Sequence, residues 1–133
     1  VQQVTPEYSV KNGRVDYCLR VAGQSKVFIE VKRLNEELER HQEQLLDYAF
    51  REGVEIAVLT NGLVWWLYLP LNQGGWEQRK FLAVDFQRFE PAQAANNLQD
   101  YLCRDKVKNG EAVDSAPWWI GGTKEAFKNE TTQ

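Results

Sequence analysis

Apolar and polar residues alternate over two short stretches near the start of the chain. Residues 14–21 (RVDYCLRV) set Val15, Tyr17, Leu19 and Val21 on one face and Arg14, Asp16, Cys18 and Arg20 on the other, the pattern of a half-buried strand. Residues 26–32 (KVFIEVK) repeat it, with Val27, Ile29 and Val31 on one side and Lys26, Phe28, Glu30 and Lys32 on the other. Ala22-Gly23-Gln24-Ser25 between them predicts a turn. Upstream, residues 1–10 read as a weak strand interrupted by Pro6, and Lys11-Asn12-Gly13 as a turn. The period then lengthens. A helix is predicted from about Asn35 to Glu52, with Leu38, Leu45 and Ala49 as its buried stripe. Asn35 serves as N-cap, Glu36 and Glu37 suit the positive helix end, and Gly53 suits the stop. Residues 54–60 (VEIAVLT) are nearly all apolar, as in a strand covered on both faces. Asn61-Gly62 is the strongest hairpin signal and leads into a strand over 63–69. A further strand is predicted over 76–86, and a helix over 91–104 with Pro91 near its first turn.

Three strands, a helix, three strands and a helix predict an α/β (mixed α+β) domain, a central mixed sheet flanked by helices. The crossover after Lys32 should return parallel and right-handed. Residues 1–104 form the domain in this reading. Residues 105–133 lose the pattern and read as a C-terminal extension, partner-contacting or poorly ordered; Trp118-Trp119 there suits a contact with a partner, with a second copy or with the domain itself.

Composition narrows the class. The 133 residues are 43% hydrophobic and 26% charged, enough for a core without disulfide or structural metal. No apolar run approaches the ~20 residues that span a bilayer, and no signal-peptide pattern opens the chain. Cys18 and Cys103 form no metal-binding spacing and read as reduced thiols of a cytoplasmic protein, Cys18 as a small buried filler. No phosphate-binding loop of an ATP-driven motor is present. The net charge of -3 excludes a protein that coats nucleic acid through overall basicity. Residues 11–40 depart from that average, with seven bases against five acids, a net +2.

The two alternating strands also set up chemistry. Their apolar positions are odd-numbered in both, and both faces must enter one core. Opposed residues then sum to even numbers, which predicts an odd-length loop, such as a three-residue connection near Gly23. Asp16 then faces Glu30 or Lys32, and all three share one face with opposed Cβ atoms about 5 Å apart. Two like charges across a strand pair repel. Lys32 can offset them in a solvated charge ladder, or a divalent cation can, since Mg²⁺ takes one or two carboxylates and keeps several waters.

The run Asp16…Glu30-Val31-Lys32 resembles the D…ExK signature of the PD-(D/E)XK nuclease superfamily, with the ExK on an apolar strand. Gln44-Leu45-Leu46-Asp47-Tyr48 matches the QxxxY motif of its RecB-like and type I restriction branches. From GRVDYCL through IEVKR and QLLDYAF to AVLTNGLVWWLYLP, roughly residues 5–90 are most similar to the N-terminal nuclease domain of type I restriction enzyme R subunits. The resemblance implies a restriction-endonuclease-like three-layer core and a Mg²⁺-dependent DNA endonuclease, with Mn²⁺ able to substitute. It implies Asp16, Glu30 and the Val31 carbonyl as metal ligands and Lys32 as the catalytic lysine. Gln44 and Tyr48, one turn apart on a helix face, would touch DNA or support the site. Arg33, Arg40 and His41 are candidate phosphate contacts beside it. Partners implied are DNA, the motor or specificity subunits of a restriction system, and a second copy as a homodimer; no membrane is implied. Relatives usually carry an N-terminal helix bearing another acid near the metal; here Glu7 is the only acid upstream, so weakened activity is one expectation. The alternative is a non-catalytic DNA-binding or assembly module on the same fold. Trp65, Trp66 and Tyr68 read as packing residues.

Overall fold

A computed structural model describes residues 4–10 and 13–116. Six strands form one sheet in chain order: β1 (Val4–Val10), β2 (Gly13–Val21), β3 (Gln24–Val31), β4 (Ile56–Thr60), β5 (Val64–Tyr68) and β6 (Lys80–Asp85). Neighbours run antiparallel except β3 and β4, which are parallel, as a helical crossover after β3 requires. Helix α1 (Gln42–Glu52) makes that crossover, α2 (Trp76–Arg79) precedes β6, and α3 (Pro91–Leu102), α4 (Arg104–Lys108) and α5 (Glu111–Ser115) follow.

The sheet separates two apolar clusters, giving three layers. On one face Leu38, Leu45, Leu46 and Ala49 pack over Cys18, Phe28, Ala57, Leu59 and Tyr68. On the other, Ala94, Val107, Ala112 and Ala116 pack over Val27, Ile56, Val58, Leu67 and Val84. Adjacent residues of β4 therefore enter opposite clusters, and all five are buried, which is why its sequence lacks polar alternation. Residues 105–116, read from the pattern as the start of the extension, form α4 and α5 and contribute Val107, Ala112 and Ala116 to the core. Trp118 and Trp119 lie outside the described residues. No described helix is long and apolar enough to cross a membrane.

Several elements depart from the pattern. The expected helix from Asn35 starts later: a 3-10 turn over Leu38–His41 leads into α1 at Gln42. The chain leaving β3 first makes a tight turn, with Glu36 N–H bonded to the Arg33 carbonyl at 3.1 Å and the Glu36 carboxylate bonded to His41 at 2.9 Å. The helix stops as expected at Gly53, in the left-handed conformation (φ 68°). The expected strand 76–86 begins as α2, because Gly75 turns the chain and its N–H donates to the Gln78 side chain at 2.8 Å. Pro6 does not interrupt β1; it faces Tyr17 from the outermost strand, where a missing N–H costs no ladder bond.

Candidate active site

The first hairpin reaches its register by a route other than the one parity suggests. The loop is two residues, not three: Val21 faces Gln24, and Ala22 and Gly23 both take positive φ (53° and 79°). Such a turn matches strand twist. A bulge between Leu19 and Arg20 then restores the even sum, because Leu19 faces Val27 while Arg20 faces Ser25, leaving Lys26 as the extra residue. Continued past Tyr17↔Ile29, this register sets Asp16 opposite Glu30. Strict alternation also fails in β2, where Val15 and Cys18, three residues apart, both enter the α1-side cluster. Tyr17 and Val31, expected in the core, are 42% and 43% exposed, since they lie past the cover of α3–α5.

Backbone pairing between β2 and β3 runs to Tyr17↔Ile29, and beyond it the carboxylates tie the strands together. The Val31 N–H donates to Asp16 Oδ2 at 2.8 Å, and the Asp16 N–H donates to Glu30 Oε1 at 3.1 Å. Each acid thus holds the backbone of the other strand. Lys32 Nζ lies 3.5 Å from Glu30 Oε2. Burial and the neighbouring Asp16 charge raise the Glu30 pKa, against the Asp16 N–H and Lys32, which lower it. In extended backbone the N–H and C=O of one residue point the same way, so the Val31 carbonyl faces the β2 side, as its N–H does. Lys32 N–H instead bonds the Thr60 carbonyl of β4 at 2.8 Å, which fixes the strand end.

Asp16, Glu30, Val31 and Lys32 therefore meet at one strand end. Among the described residues no third His, Cys, Asp or Glu joins the two acids in a metal-binding group. Two carboxylates and a carbonyl are hard oxygen donors of the kind Mg²⁺ accepts while keeping waters. Gln44 and Tyr48 meet each other, the Gln44 amide donating to the Tyr48 hydroxyl at 3.1 Å. Gly13 explains where that hydroxyl sits: a Cβ there would overlap it. Gly13, read from the pattern as part of a turn, is thus the seat of Tyr48, three residues or roughly 10 Å along β2 from Asp16. His41 pairs with Glu36, Arg40 with Glu37 at 3.1 Å, and Arg33 is exposed just past β3; none has a bond to the carboxylates. The sequence also concealed Gln42, which is buried and accepts the Tyr68 O–H at 2.5 Å, tying α1 to β5. Burial raises the Tyr68 pKa far above its ordinary value. Trp66 packs against the α1-side cluster with Lys80 Nζ 3.7 Å from its ring centre. Both cysteines are free thiols, and burial pushes the Cys18 thiol up, away from the reactive thiolate.

A mixed sheet between helical layers, with helix α1 crossing from β3 to a parallel β4, is a restriction-endonuclease-like α+β fold. The family model for the type I restriction enzyme R protein N terminus matches residues 1–76, more than half of the chain, and the chain belongs to that family. No curated protein and no solved structure matches it.

Proposed function

We propose that this domain is the Mg²⁺-dependent DNA endonuclease part of a type I restriction system, hydrolysing phosphodiester bonds. The observation that carries the reading is the convergence of Asp16, Glu30 and Lys32 at the open end of the β2–β3 ladder in a chain of this family. Asp16 and Glu30, with the Val31 carbonyl, would hold the cation; Mn²⁺ has the same donor preference. Bound there, Mg²⁺ supplies charge stabilisation for the scissile phosphate. The two acids fix the geometry of the site because each is anchored by the opposite strand. A cation would also relieve the Asp16–Glu30 repulsion that, after burial, raises the Glu30 pKa. Lys32, an ammonium 22% exposed, is the group to orient the attacking water and stabilise developing phosphate charge. Gln44 and Tyr48 support the site from α1, while Arg33, Arg40 and His41 offer phosphate contacts from the segment before it. DNA is the substrate, motor and specificity subunits and a second copy of the domain are the protein partners, and the cytoplasm is the location.

Asp16→Ala and Lys32→Ala should each abolish metal-dependent cleavage of plasmid DNA while the protein stays folded. Cleavage by Lys32→Ala at the wild-type rate would remove its catalytic role.

One observation favours a second reading, a non-catalytic DNA-binding or assembly module: backbone N–H groups and Lys32 already occupy the two carboxylates. Calorimetric titration with Mg²⁺ or Mn²⁺ separates the two. Absence of binding near millimolar metal, with the fold intact, selects the module.

A further inference from the structure

At the far end of β3 from Glu30, where α1 ends beside the first hairpin turn, lies a polar cleft of about 440 Å³. Its walls include Tyr8, Arg20, Ser25, Lys26, Glu52 and Glu55. Arg20 is the unusual member. Its guanidinium lies 5.6 Å from the Tyr8 ring centre and donates from Nη2 to the Gly23 carbonyl. No carboxylate pairs with it, and its buried Nε–H is the only buried side-chain polar atom without a partner among the described residues. A guanidinium carries five N–H donors, and buried donors without acceptors are rare. The Ser25 and Tyr8 hydroxyls lie 3.2 Å apart, and each can donate as well as accept. Lys26, the extra residue of the bulge, adds an ammonium held only loosely by Glu55 at 3.5 Å. Arg20, Lys26 and the Tyr8 hydroxyl thus offer donors in a lining whose two cations are matched by Glu52 and Glu55.

We propose that the cleft is a phosphate-binding site, with the Arg20 guanidinium, the Tyr8 hydroxyl and the Lys26 ammonium as donors. Glu52 and Glu55 in its lining favour a singly charged phosphate over a dianion. Arg20 and Ser25 face each other two residues beyond the Cys18 row of the α1-side cluster, so the cleft opens on the same side of the sheet as the acid pair. Four residues of strand, about 13 Å, separate Lys26 from Glu30. A nucleic-acid backbone and free phosphate share the chemistry, and neither requires the metal role of Asp16 and Glu30.

The test is an amide NMR titration of the full chain with inorganic phosphate at about pH 5, where the anion is mostly singly charged, against chloride at equal ionic strength. Saturable shifts at Gly23, Ser25 and Lys26, weakened about tenfold in Arg20→Gln, are expected. Absence of saturable shifts, an equal response to chloride, or wild-type affinity in Arg20→Gln would overturn the site. If Arg20→Gln melts early, Tyr8→Phe and Lys26→Gln carry the test, and wild-type affinity in both overturns it. Binding of a duplex in EDTA distinguishes the sources: a salt slope reduced by about one in the variant assigns the site to nucleic-acid backbone, and an unchanged slope with intact phosphate binding assigns it to free phosphate. Failure of the nuclease reading shows separately, as absent metal-dependent cleavage by the wild-type chain.

Discussion

Two hairpins of the same sheet solve the same problem in opposite ways. The β4–β5 hairpin is regular and locally complete. Asn61 Oδ1 accepts the N–H groups of Leu63 and Val64 at 3.0 and 2.9 Å, Thr60 Oγ1 donates to the Val64 carbonyl at 2.7 Å, and Gly62 takes φ 93°. Its strand β4 is wholly buried. The β2–β3 hairpin turns through Ala22-Gly23, takes a bulge, and ends with two carboxylates bonded to backbone where ladder bonds would be. The regular hairpin is the floor of the core, and the irregular one carries the proposed site. With a two-residue loop, the bulge is what restores the register that sets Asp16 opposite Glu30.

That contrast can be broken most severely through the core. Leu59→Ala empties a fully buried position and should cost about 2–5 kcal/mol in a urea melt. Asp16→Asn keeps shape and acceptor oxygen, and should cost no more than about 1 kcal/mol while removing activity. Equal losses in the two would erase the distinction between floor and site. Next, Gly13→Ala forces its new methyl against Tyr48 and should cost about 1–3 kcal/mol, with Tyr48→Phe recovering part of the loss. The same pair of variants reports on DNA binding, because it moves Tyr48 without touching the carboxylates.

The turns allow a milder exchange. Asn61→Ala removes the acceptor of two N–H groups and should cost about 1 kcal/mol. Ala22 pays for a left-handed conformation that asparagine tolerates, so Ala22→Asn should stabilise by up to about 1 kcal/mol. Thermal melting of both variants tests whether the first hairpin lacks the local support that the second has. The smallest effect is a slope with pH. The Glu30 pKa is raised in the fold, so the native state holds that proton to higher pH than the unfolded chain does. This contribution is present below the unfolded pKa and is lost as pH rises through the folded pKa. In metal-free protein, Glu30→Gln should remove that part of the fall in melting temperature, and an unchanged slope would contradict the shift.

Periodicity made the strands legible where a single rule applied. The apolar run of β4 and the Asn61-Gly62 turn needed only local information, as did the stripe Leu38–Leu45–Ala49 and its stop at Gly53. The Asp16–Glu30 facing also followed, because both strands owe an apolar face to one core. Its loop length did not, since parity cannot tell a three-residue loop from a two-residue loop with a bulge. The late start of α1 was hidden because Asn35, Glu36 and Glu37 suit a helix start as well as the turn they make. Residues 105–116 hold too few apolar positions to show a period, yet α4 and α5 become core once α3 sets them against the sheet.

By itself the sequence determined the six strands, helices α1 and α3, a mixed sheet flanked by helices, and the residue set Asp16, Glu30 and Lys32 on one face, because side-chain alternation and burial act over a few residues. Tertiary structure alone decided that Gly13 must lack a side chain, that Gln42 meets Tyr68, that His41 and Arg40 pair with Glu36 and Glu37, and that Arg20 is left without an acid. Each depends on partners brought together across elements or on the choice among equivalent neighbours, and a distance in space of that kind is not written in any local pattern.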